Sequence, residues 1–195
     1  MNKTTPDPLK RIAAWHAAAA RAGEKQPDAM TIATIAADGA PSLRYVLLKG
    51  LSAAGLVFFT DTRSRKGRDL AHDPRIAAAL RFGTTGRQIR VEGLARLLPA
   101  EDANIYWETR PRTSRLSASA SFQSAPLLSR ELLVARRDAL AERLAGRVVP
   151  RPAAWLGYCI EPGRIEFWTQ KPGRLHHREL FTRILRGWRI SLLQP

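Results

Sequence analysis

The chain has 195 residues, of which 45% are hydrophobic and 25% charged, a balance that suits one globular domain and excludes intrinsic disorder. Its 32 Lys and Arg against 17 Asp and Glu give a formal charge of +15, which favours anionic partners: nucleic acid, acidic membrane or phosphorylated small molecules. The single cysteine, Cys159, rules out an intrachain disulfide framework and agrees with a cytoplasmic location.

Asp7-Pro8 reads as an N-cap and a first-turn proline, opening a helix that runs to about Ala22 and stops at Gly23. Leu9, Ile12, Ala13, Trp15 and Ala19 are spaced to share much of one face. Two β-rich runs, Met30–Ala36 and Ser42–Lys49, flank Asp38-Gly39 as a hairpin would. Leu56–Thr60 is a third strand, and Ser64–His72 a short helix opened by a serine cap. Ile76–Phe82 and Gln88–Leu98 follow as strands around a Gly83–Gly86 turn.

The second half opens with helices over Glu101–Thr109 and Ser129–Ala145, the latter ended by Gly146. Between them Ser114–Ser124, rich in serine and alanine, has no periodicity that assigns it. Strands return at Trp155–Glu161, Arg164–Gln170 and Phe181–Leu193, the last broken at Arg186-Gly187. Short strands with interspersed helices predict a mostly β chain, an antiparallel barrel flanked by α-helices, as one domain over residues 1–195. The alanine-rich run Ala13–Ala20 is interrupted by Trp15 and His16 and reads as a helix rather than a signal peptide.

Several chemistries lack their motifs. There is no Gly-rich phosphate loop, GxGxxG, CxxC, HExxH or GxSxG, so no metal is expected. His176 and His177 are adjacent and would face opposite ways on a strand. Glu92 and Glu166 lie in strand-like runs without a glycosidase spacing. The cations form no dense basic block with stacking aromatics, so nucleic acid is not expected as a partner. Nor does any apolar run reach the ~20 residues that span a bilayer, so no membrane is expected either.

Four polar clusters break the apolar pattern. Arg44 and Lys49 bracket a strand, where long cations can simply reach for water. Ser64-Arg65-Lys66 opens a helix with a hydroxyl, two cations and free backbone N–H groups, the ingredients of a phosphate seat. Tyr106 and Arg110 are spaced for one helical face, with Ser114 just beyond Pro111; together they suit a phosphate monoester. Arg174, His176 and Arg178 alternate, so on an extended segment they would project together and need an anion or acid between them.

These stretches, together with Phe58–Lys66, Arg87-Gln88, Phe122-Gln123-Ser124 and Ile165-Glu166-Phe167-Trp168, resemble the pyridoxine/pyridoxamine 5′-phosphate oxidases in order and separation, from Asp7 to Pro195. The resemblance implies an FMN-binding split barrel working as a homodimer, with flavin mononucleotide (FMN) in clefts between subunits. It implies FMN contacts at Arg44, Tyr45, Val46, Leu47, Leu48, Lys49, Phe59, Thr60, Arg65, Lys66, Gln88, Gln123, Ser124, Trp168 and Arg178. The vitamin's phosphate would fall to Lys49, Tyr106, Arg110 and Ser114. Arg174, Leu175 and His176 would meet its ring, with Arg174 and His176 nearest the chemistry. The implied reaction is hydride transfer from substrate C4′ to the flavin, with O2 as acceptor giving H2O2 and pyridoxal 5′-phosphate as product.

Three positions depart from the family pattern. Ser117-Ala118-Ser119 replaces a Gly-Ala-Trp stretch, Phe59 replaces a tyrosine, and His177 replaces an acid. The rival readings are a related FMN oxidase acting on a phenazine-type ring, and a non-catalytic flavin- or phosphate-binding protein.

Overall fold

The computed structural model describes residues 7–195, so residues 1–6 of the expected domain lie outside the described residues. Helix α1, Pro8–Arg21, begins where the sequence predicts: the Asp7 carboxylate accepts from the Leu9 backbone N–H at 2.9 Å. Leu9, Ile12, Trp15 and Ala19 are buried. Ala13 is exposed, contrary to expectation, because it lies about 100° around the helix from Ile12 and the buried stripe is narrow.

Among the described residues, nine antiparallel strands form one curled sheet. They are β1 (Ala29–Ile35), β2 (Pro41–Leu47), β3 (Gly50–Leu51), β4 (Leu56–Asp61), β5 (Arg75–Phe82), β6 (Arg87–Leu97), β7 (Trp155–Thr169), β8 (His177–Arg183) and β9 (Trp188–Leu192). The order is β2-β1-β5-β6-β7-β4-β3, with β8 joining β7 to β9. Where the chain leaves β2, the Lys49 N–H donates to the Val57 carbonyl at 2.8 Å, drawing that end of the sheet against β4. The rest of β2 has no ladder partner beyond β1 among the described residues, and there the barrel is split.

The sequence predicts two strands in the region of β7, and the structure joins them. Pro162 and Gly163 form a bulge at which the register with β6 shifts between Glu92 and Gly93. A β-carbon at Gly93 would sit 2.1 Å from the Glu161 carbonyl oxygen, so this crossing demands glycine. Before the bulge β7 pairs with β4, and after it with β8. One long strand thus belongs to both lobes of the sheet.

Strand alternation sorts the side chains into rows. Ile32, Ala78, Val91, Ile165 and Phe181 are register partners across β1, β5, β6, β7 and β8, and all are buried. Trp15 of α1 meets Phe167 edge-on at 5.0 Å, so the helix closes this core. The next row, Tyr45, Thr31, Ala79, Arg90, Glu166 and Leu180, faces the other way.

Four further α-helices complete the described residues: α2 (Arg65–His72), α3 (Ala100–Thr109), α4 (Arg112–Ala120) and α5 (Arg130–Arg143). The unassigned Ser114–Ser124 stretch is therefore helical through Ala120. A second apolar cluster, Ala103, Trp107, Leu116, Val149 and Trp155, packs α3 and α4 onto the sheet, and the Trp107 indole donates to the Val149 carbonyl at 2.9 Å. No helix among the described residues is long and apolar enough to cross a membrane.

Candidate functional site

An open cleft of about 260 Å³ lies at the split, between β2, β4 and the α3–α4 connection. Tyr45, Val46, Leu47, Lys49, Phe59, Thr60, Lys66, Tyr106, Arg110 and Gln123 line it, so ten of the residues singled out from the sequence meet in one place. Its aromatic wall is a stack. Phe59 lies 4.3 Å from Tyr106 and 5.3 Å from Trp155, both nearly parallel.

Arg110 is not on a helical face with Tyr106, as the spacing suggested. It follows α3 in an extended conformation (φ −75°, ψ 143°), which the next residue, Pro111, imposes. Its guanidinium nevertheless reaches the cleft, lying 4.7 Å from the Trp155 ring centre and 5.1 Å from that of Trp107. Burial, with the nearby charge of Arg115, pulls the Arg110 pKa down against the opposing influence of Tyr106. Three buried side-chain polar atoms among the described residues have no hydrogen-bond partner: Arg110 Nη1, Arg115 Nε and Ser119 Oγ. All lie within residues 110–119, and of the three Arg110 lines the cleft. An unpaired buried guanidinium N–H calls for an anion.

Lys66 is a second buried cation at the cleft. The Ser64 hydroxyl caps α2, accepting from the Gly67 N–H at 3.3 Å. A β-carbon at Gly67 would lie 2.2 Å from the Thr62 carbonyl oxygen, so glycine lets this turn pack tightly and carry Lys66 inward. The buried ammonium meets only neutral acceptors: Gln123 Oε1 at 2.9 Å and the Thr60 and Ser64 hydroxyls at 3.3 Å. Burial and then the charge of Arg44 lower its pKa, with Asp61 and Asp69 acting the other way. Arg44 is itself depressed, first by burial and further by Arg65, although Asp69 lies 3.5 Å away. Arg44, Arg65 and Lys66 thus form a cationic group whose charge the neighbouring acids offset in part.

Lys49 differs from both, because its ammonium is already paired. It donates to Asp28 Oδ2 at 3.1 Å, and the other Asp28 oxygen meets His16 Nε2 at 2.9 Å. Burial pushes the Asp28 carboxyl up, but hydrogen bonds from His16 and Lys49 outweigh it and hold the pKa below the usual range. The stabilisation is therefore present above the unfolded carboxylate range and is lost as pH falls through the lower folded pKa. The pair is partly exposed, so solvent screens it. Asp28→Asn should lower stability by no more than about 1 kcal/mol near neutral pH, since His16 and Lys49 lose their shared carboxylate. Thermal melting across pH checks this; a variant that melts higher than the wild type would overturn the anchoring role.

The remaining sequence-predicted residues lie off this cleft. Leu48 is a core residue, so its side chain faces away. Arg44 points inward to Ser42 and Asp69, and Arg65 is exposed. Ser114 lines an adjoining hollow with Arg110, Ser117 and Gln123, and Ser124 is exposed with φ 71°. Gln88, Trp168 and Arg178 are register partners across β6, β7 and β8, forming one row on the sheet's outward face. Gln88 shares a hollow there with Tyr45 and Leu47.

Arg174 and His176 do not alternate with Arg178 along a strand. Pro172–Arg174 is a tight turn with Gly173 and Arg174 at φ 63° and 61°, and β8 begins only at His177. Proline followed by glycine makes a turn there more favourable than extended chain. His176 instead returns to within 4.5 Å of the Trp168 ring. Leu175 and Arg174 are exposed.

Sequence reasoning missed Asp28, Ser121 and Trp155. Trp155 starts an apolar run read as a strand, and only the fold brings it and Ser121 to the cleft and sets Asp28 beside Lys49.

Two family models cover most of the chain. Residues 17–142 match the one described as pyridoxamine 5′-phosphate oxidase, and residues 155–195 match the pyridoxine 5′-phosphate oxidase C-terminal dimerisation region. The chain belongs to the pyridoxine/pyridoxamine 5′-phosphate oxidase family. Within this family it is 47% identical over 190 residues to the pyridoxine/pyridoxamine 5′-phosphate oxidase of Rubrobacter xylanophilus, covering 97% of this chain and 88% of that one. The protein of the same name from Anaeromyxobacter dehalogenans is 46% identical, with 97% and 96% covered. Among solved structures, PhzG from Burkholderia lata, in complex with tetrahydrophenazine-1-carboxylic acid, matches with a TM-score of 0.94 at 32% identity, covering 100% of this chain and 95% of that one. A pyridoxamine 5′-phosphate oxidase-related, FMN-binding protein from Nostoc punctiforme matches with a TM-score of 0.78 at 18% identity, covering 98% and 100%, a likeness of fold. The sheet is thus the split barrel expected from the sequence.

Proposed function

We propose that this chain is an FMN-dependent oxidase that converts pyridoxine or pyridoxamine 5′-phosphate to pyridoxal 5′-phosphate. The observation that carries the reading is the buried Nη1 of Arg110, unpartnered among the described residues and set against two tryptophans at the edge of a cleft that also contains Lys66. Two separate cations without a carboxylate partner suit two separate phosphates, one from the cofactor and one from the vitamin. Arg44 through Lys49, Phe59, Thr60, Arg65, Lys66, Gln123 and Ser124 would hold FMN from this side, with Lys49, Tyr106, Arg110 and Ser114 on the substrate phosphate.

In this reading Gln88, Trp168 and Arg178, with Arg174, Leu175 and His176, serve the cleft of a second copy, and the protein acts as a homodimer. The match to a family region described as a dimerisation region supports this. So do the exposed side chains Leu43, Tyr45 and Leu47 on edge strand β2, an apolar face that another copy would cover. When bound, FMN would accept a hydride from substrate C4′ and pass the electrons to O2, giving H2O2. The chain's own contribution is orientation: anchoring the phosphate fixes where C4′ lies, and Arg174 and His176 would orient the ring. Neither is assigned as an essential base.

The likeness to PhzG keeps a second reading open, an oxidase for a tricyclic acid, since the folds agree closely. Ser119, where the family pattern has tryptophan, is the smaller side chain and would leave such a ring more room, whereas Ser117 in place of glycine would not. Arg110 favours the phosphorylated vitamin. The deciding experiment mixes FMN-loaded protein anaerobically with pyridoxine 5′-phosphate, with unphosphorylated pyridoxine and with a dihydrophenazine carboxylic acid. Bleaching of the flavin by the first alone supports the proposal. Bleaching by the third alone moves the function to the second reading, and protein that takes up no flavin overturns both.

A further inference from the structure

Glu166 has no part in the cleft, yet its side chain is only 7% exposed on the outward face of β7. A buried carboxylate must be compensated, and two arginines compensate this one. Arg90 Nη1 lies 3.0 Å from Oε2, and Arg178 Nε lies 2.7 Å from Oε1. Arg90 alone would balance the charge across the β6–β7 ladder, where it is the register partner of Glu166. Arg178 comes from β8, and its Nη1 is taken as well, by the Gln194 carbonyl at 2.8 Å. The guanidinium is planar, so holding two of its nitrogens fixes both its plane and the direction of the third. Nη2 is left without a partner among the described residues, in the same cross-strand row as Gln88 and Trp168.

We propose that Glu166 is a positioning residue for the cofactor: its buried carboxylate and the Gln194 carbonyl hold the Arg178 guanidinium so that Nη2 is the nitrogen presented to an acceptor group of the flavin. This rests on the FMN reading above. A free arginine loses its rotamer freedom when it binds; one already clamped by Glu166 does not, which is worth on the order of tenfold in affinity. Arg90, more exposed and also 3.6 Å from Glu92, carries the ladder and not the cofactor.

The test is titration of apoprotein with FMN, followed by quenching of FMN fluorescence, with a thermal melt for each variant. Glu166→Gln and Arg178→Ala should each weaken binding on the order of tenfold. The double variant should bind no worse than Arg178→Ala, and Arg90→Ala should bind as the wild type does. Arg178→Lys keeps the charge but cannot be clamped at two nitrogens, so it should lose as much as Arg178→Ala; it decides the matter if Glu166→Gln does not fold. Wild-type affinity in Glu166→Gln or Arg178→Lys, or losses that add in the double variant, would overturn the positioning role. A wild-type protein that binds no FMN would overturn the functional reading and this role with it.

Discussion

Arg110→Ala should reduce kcat/KM for pyridoxine 5′-phosphate by about 100-fold, almost all of it through KM, while FMN affinity stays unchanged. The Arg110 guanidinium is partly buried against Trp107 and Trp155 and its Nη1 has no partner among the described residues, so in the proposed reading the substrate phosphate would satisfy it. A charge-assisted hydrogen bond of this kind is worth about 1.5–3 kcal/mol, and each 1.36 kcal/mol is a factor of ten in rate. An anchor remote from the reacting carbon binds ground state and transition state alike, which is why the loss appears in KM. Lysine should not rescue it, because an ammonium offers neither the planar fork nor the stacking on the indoles. Steady-state kinetics with phosphorylated and unphosphorylated vitamin provide the check. Equal losses on both substrates would show that Arg110 acts on structure rather than on phosphate.

Lys66→Met should weaken FMN binding about 30-fold and, in the same variant, raise the thermal stability of the apoprotein. Methionine fills a similar volume without the charge. The buried ammonium meets only hydroxyls and an amide oxygen, so removing it leaves no orphaned carboxylate. A loss of about 2 kcal/mol of charge-assisted binding corresponds to that factor.

The sign of the pH effect follows from the lowered Lys66 pKa. Burial disfavours the charged lysine in the folded apoprotein, so the penalty is complete below the folded pKa. It is relieved as pH rises from there towards the higher unfolded value. A bound phosphate does the reverse and favours the charged form. FMN affinity should therefore begin to fall below the ordinary lysine range as pH rises, and that fall should be absent in Lys66→Met. Isothermal titration across pH, with melts of the apoprotein, measures both. A variant that loses stability while keeping its FMN affinity would remove the role given to Lys66.

Much of this site is legible in the amino-acid sequence. The hairpin at Asp38-Gly39 and the capped starts of α1 and α2 follow from local chemistry, where each residue's preference acts over a few neighbours. The cations Lys49, Lys66 and Arg110 stand out in sequence because nothing near them in the chain demands a charge. The family resemblance implies a common purpose for them, and the cleft brings them to one surface.

Other features were decided only by tertiary structure. Residues 155–169 read as two strands because Pro162-Gly163 is a strong local breaker; the pairing with β6, through a bulge opposite Gly93, makes them one. Arg174, His176 and Arg178 look like an alternating strand, but the Pro172–Arg174 turn takes precedence locally. Asp28 pairs with Lys49, and Glu166 with Arg90 and Arg178, across separations of 21, 76 and 12 residues. Periodicity reports which face of its own element a side chain occupies, not which distant element the fold lays against that face. Sequence alone therefore determined most of the element types and the cationic residues, while the closing of the sheet determined which cations keep a carboxylate partner and which, among the described residues, have none.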